Sequence, residues 1–149
     1  MMRSQSGDPY NLQRFVDGQR PVYAKVCAEL RAGRKRTHWM WFIFPQMRGL
    51  GRSSMAGRFG TTSLDEARAY AAHPVLGPRL RECCGLLLQL ESNSAIELFG
   101  FPDDVKLRSS MTLFARAVPD EPAFRKVPEK FFNGEQDAAT LRLVEAGLA

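Results

Sequence analysis

Apolar residues recur along this chain at intervals of three and four positions, the spacing of one face of an α-helix. The clearest stripes are formed by Val22, Val26, Cys27 and Leu30, and by Leu76, Leu80, Cys83, Cys84, Leu87 and Leu90. No segment alternates strictly and is rich in β-branched residues, so strands have little support. The run WFIF is ambiguous because a short buried strand has the same pattern. The pattern as a whole predicts an all-α fold.

Capping residues and helix breakers predict where the helices begin and end. Helices are expected to begin at Asp8-Pro9, Val22, Thr37, Ser63 (a capping box with Glu66), His73-Pro74 or Pro78, Pro102, Pro122 and Ala138. A short turn is expected from Ala95 to Phe99. Gly33 is expected to end the second helix and Pro45 the third. These signals predict a compact single-domain bundle of about seven to eight short helices over residues 1–149, with residues 1–7 disordered.

Composition narrows the class of protein. The 149 residues are 44% hydrophobic and 25% charged, as in an ordinary globular protein. No apolar run approaches the roughly 20 residues that span a bilayer, and the first residues lack the apolar core of a secretory signal. Cys27, Cys83 and Cys84 are an odd number of cysteines without a CxxC motif, so a disulfide framework is not expected. We therefore expect a cytoplasmic protein with reduced thiols and no membrane partner.

Charge divides the chain into two unequal parts. Residues 1–60 carry 11 Lys and Arg against three Asp and Glu, whereas residues 61–149 carry 10 against 13. A basic excess in one half favours an anionic partner, such as a phosphorylated metabolite, a nucleotide or nucleic acid. The alternative is a solvated basic face without a partner.

The segment HWMWFIF holds both tryptophans of the chain. On a helix, His38, Trp41 and Phe42 share one face, and Trp39, Phe42 and Ile43 share a neighbouring one. One face can fill the core while the other presents His38 and Trp41 to a cleft, where an indole offers a flat stacking surface. The alternative is a core helix with two buried tryptophans.

The glycine-arginine loop that follows suits an anion. Glycines such as Gly49 and Gly51 let backbone N–H groups approach a ligand, Arg48 adds charge, and Ser53 offers a hydroxyl at a helix N-terminus. The spacing is neither that of a Walker loop nor a GxGxxG after a strand, so it is no nucleotide motif. A plain structural loop with Ser53 as N-cap explains the same residues.

The segment FGFPDDVKLRSSM is the third candidate. Asp103 and Asp104 lie in the first turn of a predicted helix, where the macrodipole favours them without any catalytic role. Lys106 lies one turn from Ser109 and Ser110, a spacing that also suits a Ser-Lys nucleophile. Exposed lysines and serines on a helix are the plainer interpretation.

Other chemistry has weaker support. Two histidines, 35 residues apart, and scattered cysteines match no metal-ligand spacing, so neither a metal nor a cofactor is expected. The cysteines fall on apolar helix faces, where thiols are usually inert, although a Cys-His nucleophile stays open. The basic run at residues 31–36 resembles a nucleic-acid patch. Cations are also favoured at a helix C-terminus without any partner.

Four blocks together resemble a known family: Asp8-Pro9 with Phe15, GRKRTHWMWFIFPQMRGLGRS, SLDEARAY with HPVLGPRLREC, and FGFPDDVKLRSSMTLF. The family is an uncharacterised bacterial one, a domain of unknown function, whose members have sometimes been labelled calpastatin. The resemblance covers about residues 8–145 and implies a small, mostly helical single domain with no established activity. Calpastatin itself is a disordered, repeated inhibitor, whereas this chain has no repeat and enough apolar residues for a core. That label therefore does not fit.

These observations lead us to expect a protein that binds a small anionic or nucleotide-like ligand in a cleft lined by HWMWFIFPQMRGLG. The predicted ligand-binding residues are His38, Trp41, Gln46, Arg48, Gly49, Gly51, Ser53, Lys106, Arg108 and Ser109. No motif names a reaction, and His38 is the candidate acid-base group because imidazole exchanges protons near neutral pH. The alternative is a non-enzymatic interaction module that binds nucleic acid or an acidic protein through the basic N-terminal half.

Overall fold

The computed structural model describes residues 7–148, with side chains through residue 146. Ten helices occur there: α1 (Gln13–Gln19), α2 (Tyr23–Ala32), α3 (Met40–Ile43), α4 (Ser54–Phe59), α5 (Leu64–Ala72), α6 (Leu76–Gln89), α7 (Ala95–Phe99), α8 (Asp103–Ala117), α9 (Pro122–Phe132) and α10 (Ala138–Leu148). The predicted all-α class is confirmed, but the predicted number of seven to eight helices is too low. Except for Gly7, the expected disorder of residues 1–7 lies outside the described residues.

Two helices were missing from the predicted set. One is α7, which replaces the expected short turn, and the other is α4, which directly follows the glycine-arginine loop. For α4 the sequence offered only Ser53 as a possible N-cap. Ser53 caps it, because its Oγ accepts the Ala56 N–H at 3.1 Å. Its six residues include Gly57 and are too short to show a hydrophobic stripe. Phe59 is buried and anchors the helix, so tertiary packing stabilises it.

The predicted start of α1 at Asp8-Pro9 is wrong by one turn. Asp8 does act as an acceptor, since its carboxylate binds the N–H groups of Leu12 and Gln13 at 2.7 and 3.1 Å. However, Asn11 has a φ of 52°, a left-handed conformation that an α-helix does not contain. The chain therefore makes a turn first, and α1 begins at Gln13.

Two other helix starts follow the predicted caps closely. The Ser63 Oγ accepts the Glu66 N–H at 3.1 Å, as expected for the first half of a capping box. The Nδ1 atom of His73 accepts the N–H of Leu76 at 3.2 Å, and α6 begins there. Pro78 is then in the first turn, where a missing N–H costs nothing, so neither of the two predicted starting prolines is the first helical residue.

The longest helix, α8, is the centre of the structure. It packs against α3, α5, α7, α9 and α10, while α6 packs against α2, α5 and α9. The ring of Phe114 in α8 lies 5.4 Å from Tyr70 of α5 and 5.6 Å from Phe124 of α9, measured between centroids. Five other helices therefore position α8, whose first turn borders the groove described below. No described helix combines the length and the apolar composition that crossing a membrane requires.

Candidate functional site

A buried carboxylate, Glu29, holds the segment that leads into α3. Its Oε1 accepts the N–H groups of Arg36, Thr37 and the Trp39 indole at 2.9, 3.2 and 2.9 Å, and its Oε2 accepts the Thr37 hydroxyl at 2.7 Å. Burial raises the pKa of Glu29, but these hydrogen bonds outweigh burial and lower the pKa to about 2. Because Thr37 is used in this way, it does not cap the next helix, and the predicted start there is wrong: α3 begins at Met40.

The aromatic segment divides its two tryptophans between the core and a cavity. Trp39 is completely buried, with its ring 6.4 Å from Phe44 and 6.2 Å from Phe99. Trp41 is half-buried and lines a cavity. His38 is exposed and lines none of the cavities described below. The two tryptophans therefore have different surroundings although one residue separates them.

Each tryptophan carries a lysine above its ring, and the two lysines share one aspartate. The Lys35 Nζ lies 5.1 Å from the Trp39 ring centroid and 2.7 Å from the Asp103 Oδ2. The Lys106 Nζ lies 5.5 Å from the Trp41 ring centroid and 3.5 Å from the Asp103 Oδ1. These contacts bring the two distinctive sequence blocks together in space. At this junction two lysines therefore share the carboxylate of Asp103.

A groove with a volume of about 250 Å³ opens beside this junction. Its walls come from the loop after α3, the start of α8 and the start of α10: Gln46, Leu50, Gly51, Phe101, Pro102, Val105, Lys106, Ser109, Asp137 and Ala139. A recess that shares Gln46 and Gly51 with the groove continues to Trp41, and its volume of about 10 Å³ is about the space that one water molecule needs. We call these two cavities the groove and the recess.

The loop that forms one wall of the groove owes its shape to Thr61 and to two glycines. The Thr61 N–H donates to the Gln46 carbonyl at 2.8 Å, and the Arg48 N–H donates to the Thr61 carbonyl at 2.7 Å. Gly49 has a φ of 107°, which side chains rarely tolerate. A Cβ on Gly51 would come within 2.7 Å of an α4 side chain. The backbone conformation at Gly49 and the packing at Gly51 therefore explain both glycines without a ligand.

The opposite wall carries polar groups at the start of α10. The Asp137 Oδ2 accepts the Thr140 N–H at 3.0 Å and so caps the helix. The Asp137 Oδ1 lies 3.9 Å from the Arg108 Nη2, too far for a hydrogen bond. The Arg108 Nε is buried and has no hydrogen-bond partner in the described part of the chain. Ser109 donates to the Val105 carbonyl at 3.2 Å and keeps its acceptor capacity.

The structure brings together about half of the residues predicted to bind a ligand. Those that line the groove are Gln46, Gly51, Lys106 and Ser109. Trp41 lies in the recess under Lys106, and Arg108 faces the groove residue Asp137. The remaining predicted residues are exposed and line neither cavity: His38, Arg48, Gly49 and Ser53.

Two prominent groove residues were missing from the sequence prediction. Phe101 is 76% exposed at the groove, although phenylalanine is usually buried. The sequence did contain a signal for this exposure, because Phe101 lies between Gly100 and Pro102, in a turn outside any hydrophobic stripe. Asp137 precedes an Ala-rich helix, and this pattern indicates an N-cap but does not indicate a groove.

The geometry disfavours two nucleophile hypotheses. All three cysteines are buried, and burial raises the pKa of Cys83 to about 12, which disfavours the reactive thiolate. The Ser109 hydroxyl donates to a backbone carbonyl, and the buried Ser110 hydroxyl has no hydrogen-bond partner among the described residues. Lys106 pairs with Asp103, so neither serine forms a Ser-Lys hydrogen bond. Within the described residues, no group of three or more His, Cys, Asp or Glu side chains is placed to hold a metal ion.

Comparison with known proteins gives one family and one solved structure. Residues 9–144 match the family described as "Protein of unknown function (DUF1810)". The crystal structure of the conserved hypothetical protein Rv1873 from Mycobacterium tuberculosis is 55% identical in sequence, with a TM-score of 0.91. The match covers 93% of this chain and 99% of that protein. No curated protein matches the chain significantly. The chain, with its groove between the two distinctive sequence blocks, therefore belongs to this DUF1810 family of proteins of unknown function.

Proposed function

We propose that the protein binds a small organic anion in the groove, with Lys106 as its main cationic contact. The observation that carries the proposal is the pair of lysines on Asp103. Lys35 lies closer to Asp103, at 2.7 Å against 3.5 Å for Lys106. The carboxylate therefore neutralises Lys35 more completely and leaves charge on Lys106.

Exposure separates the two lysines further. The Lys35 side chain is 5% exposed, whereas the Lys106 side chain is 28% exposed and lines the groove. A partly desolvated ammonium group gains more from an anion than one in bulk water, because the local dielectric constant is lower. Lys106 is therefore the cation that an incoming anion meets.

The other groove residues support a small organic ligand rather than an inorganic ion. Leu50, Phe101, Val105 and Ala139 supply apolar surface around a few polar groups, a composition typical of small-molecule sites. The recess beside Trp41 is too small for a base, and Lys106 lies over the indole. In this proposal Trp41 orients Lys106, and the exposed ring of Phe101 is the surface on which a planar or sugar ring of the ligand packs.

The hypothesis of a nucleic-acid or acidic-protein module has one observation in its favour. Arg31, Arg34 and Arg36 are exposed and form no salt bridge with any described residue. Against it, an interaction module would have Trp41 and His38 buried away from cavities, and neither is. We therefore place this function second. Binding of an oligonucleotide that weakens steeply with salt, through counterion release, would favour it.

Isothermal titration with a panel of phosphorylated metabolites and nucleotides tests the proposal. We expect saturable binding of at least one member, weakened tenfold or more by Lys106→Gln. Lys126→Gln is the matched control, because Lys126 is an exposed residue of α9 and lines neither cavity. Equal effects of the two variants would contradict the proposal, since they would indicate a response to net charge alone.

A further inference from the structure

Asp137 places a carboxylate in the same groove as Lys106. A carboxylate accepts hydrogen bonds and donates none, and it repels an anionic group that comes close to it. A ligand that is only an anion therefore suits the Lys106 side of the groove and not the Asp137 side. The groove suits a ligand with two different ends.

The gap between Asp137 and Arg108 indicates which chemical group the second end of the ligand carries. The Asp137 Oδ1 and the Arg108 Nη2 are 3.9 Å apart, so no direct hydrogen bond joins them. An atom about 2.8 Å from both would bridge them. That atom must donate to the carboxylate and accept from the guanidinium group. A hydroxyl does both, whereas an ammonium group cannot accept and a phosphate dianion cannot donate.

Neither the Asp137 Oδ1 nor the Arg108 guanidinium group makes a hydrogen bond within the described residues. The Arg108 Nη1 is likewise 3.9 Å from a carboxylate oxygen of Glu135, and the Arg108 Nε is buried without a partner. The second oxygen of Asp137 is occupied by capping α10 through Thr140. The Oδ1 of the groove residue Asp137 and the neighbouring guanidinium group of Arg108 thus form one donor-acceptor position.

We infer that the ligand carries hydroxyl groups besides its anionic group, as a sugar phosphate does. The anionic group binds Lys106, and a hydroxyl bridges Asp137 and Arg108. The inference rests on the proposed function, because it names the class of ligand for the same groove.

The volume of the groove agrees with a ligand of this size. The groove has a volume of about 250 Å³. Pockets for drug-sized ligands begin at about 300 Å³. One phosphorylated sugar therefore fits inside, whereas the base of a nucleotide would extend over Phe101 at the edge.

The test compares ribose 5-phosphate with ethyl phosphate, which carries the same charged group without hydroxyls, by isothermal titration. We expect ribose 5-phosphate to bind the wild-type protein at least tenfold more tightly. Asp137→Asn should remove most of that preference and leave ethyl phosphate binding unchanged or slightly tighter. Asparagine caps helices as well as aspartate does, so α10 is retained, and circular dichroism verifies this.

Glu135→Gln is the matched control for Asp137→Asn. It also removes one negative charge 3.9 Å from Arg108, but Glu135 does not line the groove. We expect it to leave the preference for ribose 5-phosphate intact. Equal loss of preference in both variants would overturn the inference, because it would show that Asp137 acts only through its negative charge and not through a hydrogen bond to the ligand.

The remaining outcomes separate the inference from the proposed function. Equal affinity of the wild-type protein for the two phosphates, with both weakened by Lys106→Gln, overturns the inference alone and assigns the bridging position to water. Absence of binding of either phosphate, or binding that Lys106→Gln does not change, counts against Lys106 as an anion contact and overturns the inference with it.

Discussion

Two lysine-tryptophan pairs flank Asp103, and they differ in what surrounds them. Lys35 and Trp39 are enclosed: the lysine side chain is 5% exposed and the indole is completely buried. Lys106 and Trp41 lie at the groove and the recess, with the lysine side chain 28% exposed. The residue types are the same, and one carboxylate serves both.

The comparison shows that surroundings, not residue type, decide what such a pair does. Breaking a buried pair lowers the stability of the fold, because removal of one partner leaves an uncompensated charge in a low-dielectric interior. A partly exposed pair contributes little to stability, since solvent screens its charges, but its lysine stays available to a ligand. Variants of the two pairs should therefore affect different measurements.

Replacement of the two tryptophans should give the largest contrast. Trp39→Ala removes a completely buried indole together with its hydrogen bond to Glu29, and we expect a loss of about 3–5 kcal/mol in the free energy of unfolding. Trp41→Ala removes a half-buried ring, and about 1 kcal/mol is expected. Urea unfolding followed by circular dichroism measures both. Similar losses would show that the two tryptophans do not differ in structural role.

The Glu29 carboxylate, which bonds the buried Trp39, should make the stability of the protein sensitive to pH. Its pKa in the folded protein is about 2, below the usual 4.5, so its stabilisation is complete above about pH 4.5 and is lost as the pH falls toward 2. The difference corresponds to about 3 kcal/mol. Glu29→Gln should therefore be less stable than the wild type at pH 7, and the gap should narrow between pH 5 and pH 2.

Glu97→Gln is the control for this measurement, because Glu97 is an exposed residue of α7 whose side chain accepts no hydrogen bond from a described residue. Its stability should follow that of the wild type throughout the titration. A constant gap between Glu29→Gln and the wild type would contradict the expected pH dependence.

The lysines should give a smaller contrast than the tryptophans. Lys35→Met leaves Asp103 with only the more distant Lys106, and we expect a loss of about 2 kcal/mol. Lys106→Met should cost less than about 1 kcal/mol, because its ion pair is longer and more exposed. Thermal unfolding measures both, with Lys126→Met as control. A larger loss for Lys106→Met would reverse the assignment of roles.

Phe101 should have the smallest effect on stability. Its ring is 76% exposed, so Phe101→Ser should change the free energy of unfolding by less than about 0.5 kcal/mol. In contrast, Phe99→Ser two positions earlier should cost several kcal/mol, because Phe99 is buried beside Trp39. If the proposed function is right, Phe101→Ser should also weaken ligand binding severalfold. Unchanged affinity would remove Phe101 from the site.

Local signals predicted those parts of the fold that depend on neighbouring residues. Gly33 ends α2 in a left-handed conformation, and α9 covers Pro122–Phe132, as the capping and proline rules predicted. The start of α3 was wrong because Thr37 bonds Glu29, eight positions earlier, instead of capping the next helix. Only the packing of α2 against the segment before α3 brings these two side chains together.

The candidate site, like the fold, was predicted only where it depends on residues that are close together in the sequence. The blocks that form it were recognised as distinctive, and so was Lys106. The exposed position of His38, its absence from the groove lining, and the place of Asp137 in the groove were not predictable. Asp137 caps α10, which is distant in the chain from the two distinctive blocks, and no spacing within a single segment indicates which helices meet.

The sequence by itself determined the all-helical class and most helix ends, and it marked the two unusual blocks. Hydrophobic periodicity and helix capping depend only on residues that are a few positions apart, so they can be read from the sequence. The tertiary structure alone decided which tryptophan is core and which borders a cavity, and which lysine is enclosed. Trp41 and Lys106 meet although they are more than 60 positions apart in the chain. Burial and electrostatic environment depend on such distant neighbours, and these two properties separate a structural ion pair from a binding site.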